Sequence, residues 1–260
     1  MGRLEVLVTS MHQKDASKYE SMNLQTDAII ANQSDDCFYL EEKKGEHTVK
    51  MITTNTLGLS KNRNMALAYA TAEYVMFADD DQVMVDGYEE IIKKEFEKCP
   101  DADAIKFYCE STNKDRPMSF KKPAKLHRAT KRELMSAGVP CLVIRRELLV
   151  KKNLFFQSNL GSGAEIICGE DTAFYSDMLA LKARIYVTPT LLSFIDQGES
   201  SWFKGYNDRY FTSVGYVYSR VYGRLAMLAI CRRALRLRGK TDKSFKEMIA
   251  LMRSGAKKQR

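Results

Sequence analysis

The chain has little of what would make a cysteine- or histidine-based metal site, a disulfide scaffold or a membrane span. Its six cysteines (Cys37, Cys99, Cys109, Cys141, Cys168, Cys231) form no CxxC pair and show no ligand spacing. They read as reduced, mostly buried thiols of a cytoplasmic protein. His12, His47 and His127 are not spaced as metal ligands either and read as structural or surface residues. In the C-terminal region the longest uncharged stretch, Leu225–Cys231, falls far short of the roughly 20 apolar residues a spanning helix needs. The N-terminus opens directly into a strand-like run, so no secretory signal is expected. Met1-Gly2 also lacks the downstream Ser or Thr of a myristoylation signal.

At 260 residues and 45% apolar, the chain can bury one large domain, or one domain with an appendage. The net charge of +8 is unevenly placed. Residues 220–260 carry 13 Lys and Arg against Asp242 and Glu247, a net of +11, which leaves −3 on the first 219 residues. An acidic body without a cluster of aromatic and basic residues argues against a nucleic-acid partner.

Tyr74-Val75-Met76-Phe77-Ala78 is an apolar run of strand length that ends in Asp79-Asp80-Asp81. Strand alternation would put Asp79 and Asp81 on one face and Asp80 on the other. Carboxylates so close repel unless a cation lies between them. A divalent ion on oxygen ligands, shared with phosphate, is one reading; a solvated acidic turn is the other. Leu4–Thr9, Ala28–Ala31 and Lys50–Thr54 read as earlier strands, and residues 60–72 as a helix capped by Ser60. Residues 87–98 read as a second helix, followed by a strand over Ala104–Tyr108. This alternation predicts an α/β fold with a mainly parallel sheet. Such sheets bind ligands at the carboxyl ends of their strands, where Thr9, Asn32 and Asp79–Asp81 fall.

Residues 111–132 form a basic stretch read as a mobile or partly ordered loop, either merely solvated or touching an anionic acceptor or membrane surface. A strand over 139–145, a short helical turn over 145–149 and a last strand over Arg184–Val187 complete the body. Between them lie Gly161-Ser162-Gly163-Ala164 and Gly169-Glu170-Asp171, where a helix begins. Acidic residues there can simply cap that helix.

Gly58-Leu59-Ser60-Lys61-Asn62-Arg63-Asn64, then Ala70-Thr71-Ala72-Glu73-Tyr74 leading into Asp79-Asp80-Asp81, resembles the donor half of family 2 glycosyltransferases. That half reads G-x-x-x-x-R-N, A-T-G-E-Y and D-x-D. Gly161-Ser162-Gly163-Ala164 with Gly169-Glu170-Asp171 is similar to the same family's acceptor half, with its G-x-G-A and G-E-D. The resemblance spans residues 4 to about 205. It implies a GT-A catalytic domain over 1–205, with a donor half over about 1–110 and an acceptor half over about 111–205, and an extension over 206–260. It also implies a nucleotide-sugar donor, UDP-linked, and a divalent metal (Mn2+ or Mg2+). Asp81 corresponds to the metal ligand on the diphosphate. Asp79, and Asp80 beside it, correspond to groups at the ribose or the metal, and Arg63 to the arginine near the nucleotide. Asp171 corresponds to the catalytic base of an inverting transfer, and Glu170 to an acceptor-positioning carboxylate. Thr9 and Asn32 stand where the family usually has P-x-Y-N and an acidic base reader. For a third metal ligand the sequence offers only Asp196, Gln197 and Glu199.

The acceptor implied is a glycan or lipid-linked glycan. Two rival readings are a sugar-nucleotide-forming nucleotidyltransferase, whose Gly-rich basic loop is missing from Thr9–Lys14, and a non-catalytic glycan- or membrane-binding relative. Residues 214–237 read as one amphipathic basic helix, with Val214, Val217, Val221, Leu225 and Leu228 on one side. That helix suits either an anionic membrane surface at the inner face of the cell membrane or packing on the domain. Residues 254–260 are expected to be disordered.

Overall fold

The computed structural model describes residues 2–196 and 205–259. The first half contains β1 (Leu4–Met11), α1 (Lys18–Ser21), β2 (Asp27–Gln33), β3 (Phe38–Lys44), β4 (His47–Thr54) and α2 (Leu59–Tyr69). It continues with β5 (Tyr74–Asp79), β6 (Gln82–Met84), α3 (Tyr88–Lys98) and β7 (Ala104–Ser111). The second half contains β8 (His127–Arg128), α4 (Lys131–Leu134), β9 (Leu142–Arg145), α5 (Arg146–Lys151), α6 (Glu170–Ala180) and β10 (Ile185–Ile195). Three helices follow: α7 (Asp208–Tyr222), α8 (Ala226–Leu237) and α9 (Phe245–Lys258).

The ten strands among the described residues belong to one sheet, ordered β3-β4-β2-β1-β5-β9-β7-β10-β6, with β8 beside β10. β4, β2, β1, β5, β7 and β10 point the same way; β3, β9, β6 and β8 oppose them. The expected mainly parallel α/β architecture is therefore present. Its central strands are apolar on both faces because both are covered. Val6, Val8, Met76 and Ala78 face one core with Tyr88, Ile92 and Phe96 of α3. Leu7, Val75 and Phe77 face the other with Phe156 and Phe174.

Several elements differ from the sequence reading. β3 escapes it because Glu41, Glu42, Lys43 and Lys44 fill its second half on both faces, as suits an exposed edge strand; it pairs antiparallel with β4 across a turn at Gly45. β10 runs on past Pro189, with register shifts between Val187 and Ser193 that accommodate it. Ser60 does not cap α2: the N-cap is Gly58, and the buried Ser60 hydroxyl donates to the Leu160 carbonyl at 2.7 Å. The basic stretch 111–132 is partly built in, with Phe120 buried and β8 paired to β10. The single helix read over 214–237 breaks at Gly223 into α7 and α8. Residues 254–258, expected to be disordered, complete α9, which Ser244 and Glu247 start with a capping box.

Candidate active site

β1 and β5 are parallel neighbours in a register that sets Thr9 opposite Asp79. The Thr9 hydroxyl donates to Asp79 Oδ1 at 3.0 Å. β5 ends at Asp79, and Asp80 and Asp81 form a tight turn into β6. Strand alternation therefore stops before Asp81, and Asp80 does not point away as alternation alone requires: all three carboxylates line one cleft. Asp80 is fixed by the Ser10 hydroxyl at 2.6 Å, and its backbone carbonyl by Lys18 Nζ at 3.0 Å. Gln82 Oε1 accepts the Asp79 amide at 2.9 Å and steadies the turn. Asp81 makes no ion pair among the described residues. Burial, then Asp79 and Asp80, push its carboxyl up to about 7.

The opposite wall is α6. Gly169, with φ +88°, is its N-cap, and Glu170 and Asp171 occupy its first turn. Between the walls lies Arg63, only 2% exposed. Its Nη1 donates to Asp171 Oδ1 at 2.6 Å and its Nη2 to Asp79 Oδ1 at 3.2 Å. Burial opposes the guanidinium charge, but Asp171, Asp79 and Glu170 more than offset it and raise its pKa. The neighbours of Arg63 explain how it is held. Asn62 donates to the carbonyls of Ser10 and Ala31, and Asn64 exchanges two hydrogen bonds with the backbone of Phe156. The Arg63 guanidinium sits 5.3 Å over the Phe156 ring, which stacks on Phe174 at 4.0 Å.

The Gly-Ser-Gly turn brings the two halves together. The Leu59 amide donates to the Ser162 carbonyl at 2.9 Å, and a Cβ on Gly163 would sit 3.2 Å from the Gly58 nitrogen. Gly161 lies against Glu170, where a Cβ would come 3.2 Å from Cδ. Burial, then the Asp171 charge, push Glu170 up to about 7. Asp171 Oδ2 lies beside Gly138, so no side chain from that position covers it.

The cleft, about 960 Å³, thus gathers Thr9, Arg63, Asp79, Asp80, Asp81, Glu170 and Asp171. Asn32 is the exception. It is fully buried, and its amide is occupied by the backbone of Gln13 and by Thr53 Oγ1. It braces two strand ends and is not among the residues that line the cleft; Gln33, next along β2, lines it. Of the residues considered as a third ligand, Gln197 and Glu199 lie outside the described residues. The Asp196 amide donates to the Asp81 carbonyl at 3.2 Å.

Other lining residues were not singled out in the sequence. Lys106 is buried in β7, donates to the Pro140 carbonyl at 2.5 Å and lies 5.4 Å over Phe120. A lysine inside an otherwise apolar strand is the signal that marks it. Arg233 of α8 also reaches the cleft, and its Nη2 donates to the Tyr210 hydroxyl. Only the tertiary fold brings it there, so no local pattern announces it.

The acidic turn offers hard oxygen donors, but no three His, Cys, Asp or Glu among the described residues enclose a metal position. This donor set fits an ion held by one or two carboxylates and by substrate phosphates, as Mg2+ commonly is, rather than a protein cage. The raised Asp81 carboxyl is the observation behind that fit: a cation there would offset the repulsion from Asp79 and Asp80.

An open α/β sheet with an acidic turn at the carboxyl end of a central strand, facing a carboxylate-bearing helix, is the arrangement of the GT-A fold. The model of the family described as Glycosyl transferase family 2 matches residues 26–152. The chain is therefore a glycosyltransferase. Among solved structures it resembles S. aureus TarS 1–349 in complex with UDP-GlcNAc, at 15% identity and a TM-score of 0.66, over 99% of this chain and 92% of that one. It also resembles the same fragment in complex with UDP, at 15% identity and a TM-score of 0.61, over 96% and 69%. TarS itself matches at 14% identity and a TM-score of 0.64, over 92% and 44%. At such identities the likeness is one of fold. No curated protein matches the chain in sequence.

Proposed function

We propose that this protein transfers a sugar from a UDP-linked donor to a hydroxyl of a glycan or lipid-linked glycan, with inversion at the anomeric carbon. The observation that carries the proposal is Arg63, whose two amino groups hold Asp79 on the donor wall and Asp171 on the facing wall. UDP-GlcNAc bound to TarS, in a protein of the same fold, supports the donor class.

In this reading the diphosphate lies along the carboxyl ends of β1 and β5, with Asp81, and Asp79 beside it, holding Mg2+ or Mn2+. When bound, that ion neutralises charge developing on the departing diphosphate. Asp80 stays tied to Ser10 and Lys18 and fixes the shape of the turn. Asp171 accepts the acceptor hydroxyl's proton on Oδ2 while Arg63 retains Oδ1, so the base stays oriented during attack. A single base facing the leaving group across the sugar gives one displacement, hence inversion. Burial and the Asp171 charge hold the Glu170 carboxyl above the usual carboxylate range, and in its neutral form it can donate a hydrogen bond to an acceptor oxygen.

A panel of nucleotide-sugars assayed for metal-stimulated hydrolysis tests the donor. Transfer to a purified acceptor by wild type and by Asp171→Asn tests the base. Undiminished transfer by that variant would overturn the assignment.

A further inference from the structure

The C-terminal helices resolve the tail into two unlike surfaces. Val214, Val217 and Val221 of α7 are buried, against α9 and α6, so that part of the apolar stripe packs on the domain. α8 turns Ala226, Ile230, Ala234 and Leu237 inward. Its outward face is different: Leu228 is 70% exposed and Leu235, two turns on, 58%. Leu225, just before the helix, is 62% exposed. Arg224, Arg232, Arg236 and Arg238 are exposed around them, and no acidic residue occurs between Asp208 and Asp242. Nothing in the described chain covers this face.

We propose that the outward face of α8 docks on an anionic lipid bilayer, with Leu225, Leu228 and Leu235 at the acyl boundary and the arginines on lipid phosphates. Helices with such a division bind through buried apolar area plus attraction to anionic headgroups. Charge decides against a second copy of the chain: two such faces would set arginine against arginine with no carboxylate between them. Leucines at the centre of the face likewise set it apart from a phosphate-tracking nucleic-acid surface, which would be basic throughout. The same helix sends Arg233 inward to the cleft. Docking would therefore lay the acceptor side of the cleft beside the membrane, where a lipid-linked glycan presents its sugar.

The test is flotation of the full chain with vesicles of phosphatidylcholine alone or with about one-third phosphatidylglycerol, without donor, so that its outcome is independent of the transfer reaction. The wild type is expected to float with the anionic vesicles only. Leu228→Ser/Leu235→Ser and Arg232→Gln/Arg236→Gln should each weaken partitioning about tenfold or more. Circular dichroism and donor hydrolysis in solution should stay unchanged, since these side chains are exposed and lie outside the cleft lining. Equal flotation with neutral vesicles, failure to float, or variants that partition like wild type would each overturn the proposal. So would a solution dimer that the leucine variant converts to monomer while wild type stays off the vesicles.

Discussion

Arg63 is the residue on which the two walls of the cleft depend. Its pairs are largely buried, and removing one partner of such a pair leaves uncompensated charge. Arg63→Met is expected to lower stability by about 3 kcal/mol, toward the low end for buried pairs because both aspartates keep some solvent. Urea unfolding measures this. Asp171→Asn keeps the shape but loses proton acceptance, so kcat should fall about 10²–10⁴-fold with donor affinity retained, as isothermal titration can check. Asp81 makes a prediction about pH. Its carboxyl titrates at about 7 in the absence of a cation, so protons compete with the metal below that value. Apparent Mn2+ affinity, followed by donor binding, should fall by about tenfold per unit as pH drops below about 7. In Asp81→Asn both the affinity and its pH dependence should be lost.

At the scale of elements, α7 and α9 approach as closely as backbones can. A Cβ on Gly215 would lie 1.8 Å from the Met252 carbonyl oxygen, and one on Gly255 equally close to that of Thr212. Neither neighbour can yield without moving a helix axis. Gly215→Ala is expected to cost about 3 kcal/mol, at the upper end for overpacking, and to loosen α9, visible as faster amide exchange over residues 245–258. The sequence shows elements wherever an unbroken apolar run of strand length or a helical periodicity dominates, as in β1 and β5 or in α3. It conceals β3, whose edge position replaces apolar alternation with charge, and the α7–α8 break, because apolar residues continue in helical spacing across Gly223. The candidate site was legible to the same degree. The acidic turn, Arg63 and the start of α6 are local patterns. Lys106, Arg233 and the inward commitment of Asn32 follow from which segments meet in space.

Across the whole molecule, Asp81 and Glu170 share a sign. Both carboxyls titrate at about 7 in the fold, above the ordinary range, so the folded chain binds protons that the unfolded chain has released. Their contribution is present in full below the unfolded values near 4 and is lost as pH rises through about 7. Without ligands, the thermal midpoint should therefore decline between about pH 5 and about pH 8. Mn2+ with UDP should recover much of that decline at the upper end, since the bound pair stabilises the ionised form.

The guanidinium shared by Asp79 and Asp171 also bears on recombining this enzyme with its relatives. Chimeras that exchange everything after residue 110 would import a new α6 beneath the original α2. Only those that bring a carboxylate to meet Arg63 would keep the charge-assisted bond across the join, so compatible breakpoints should be governed by this one handshake rather than by similarity across the join.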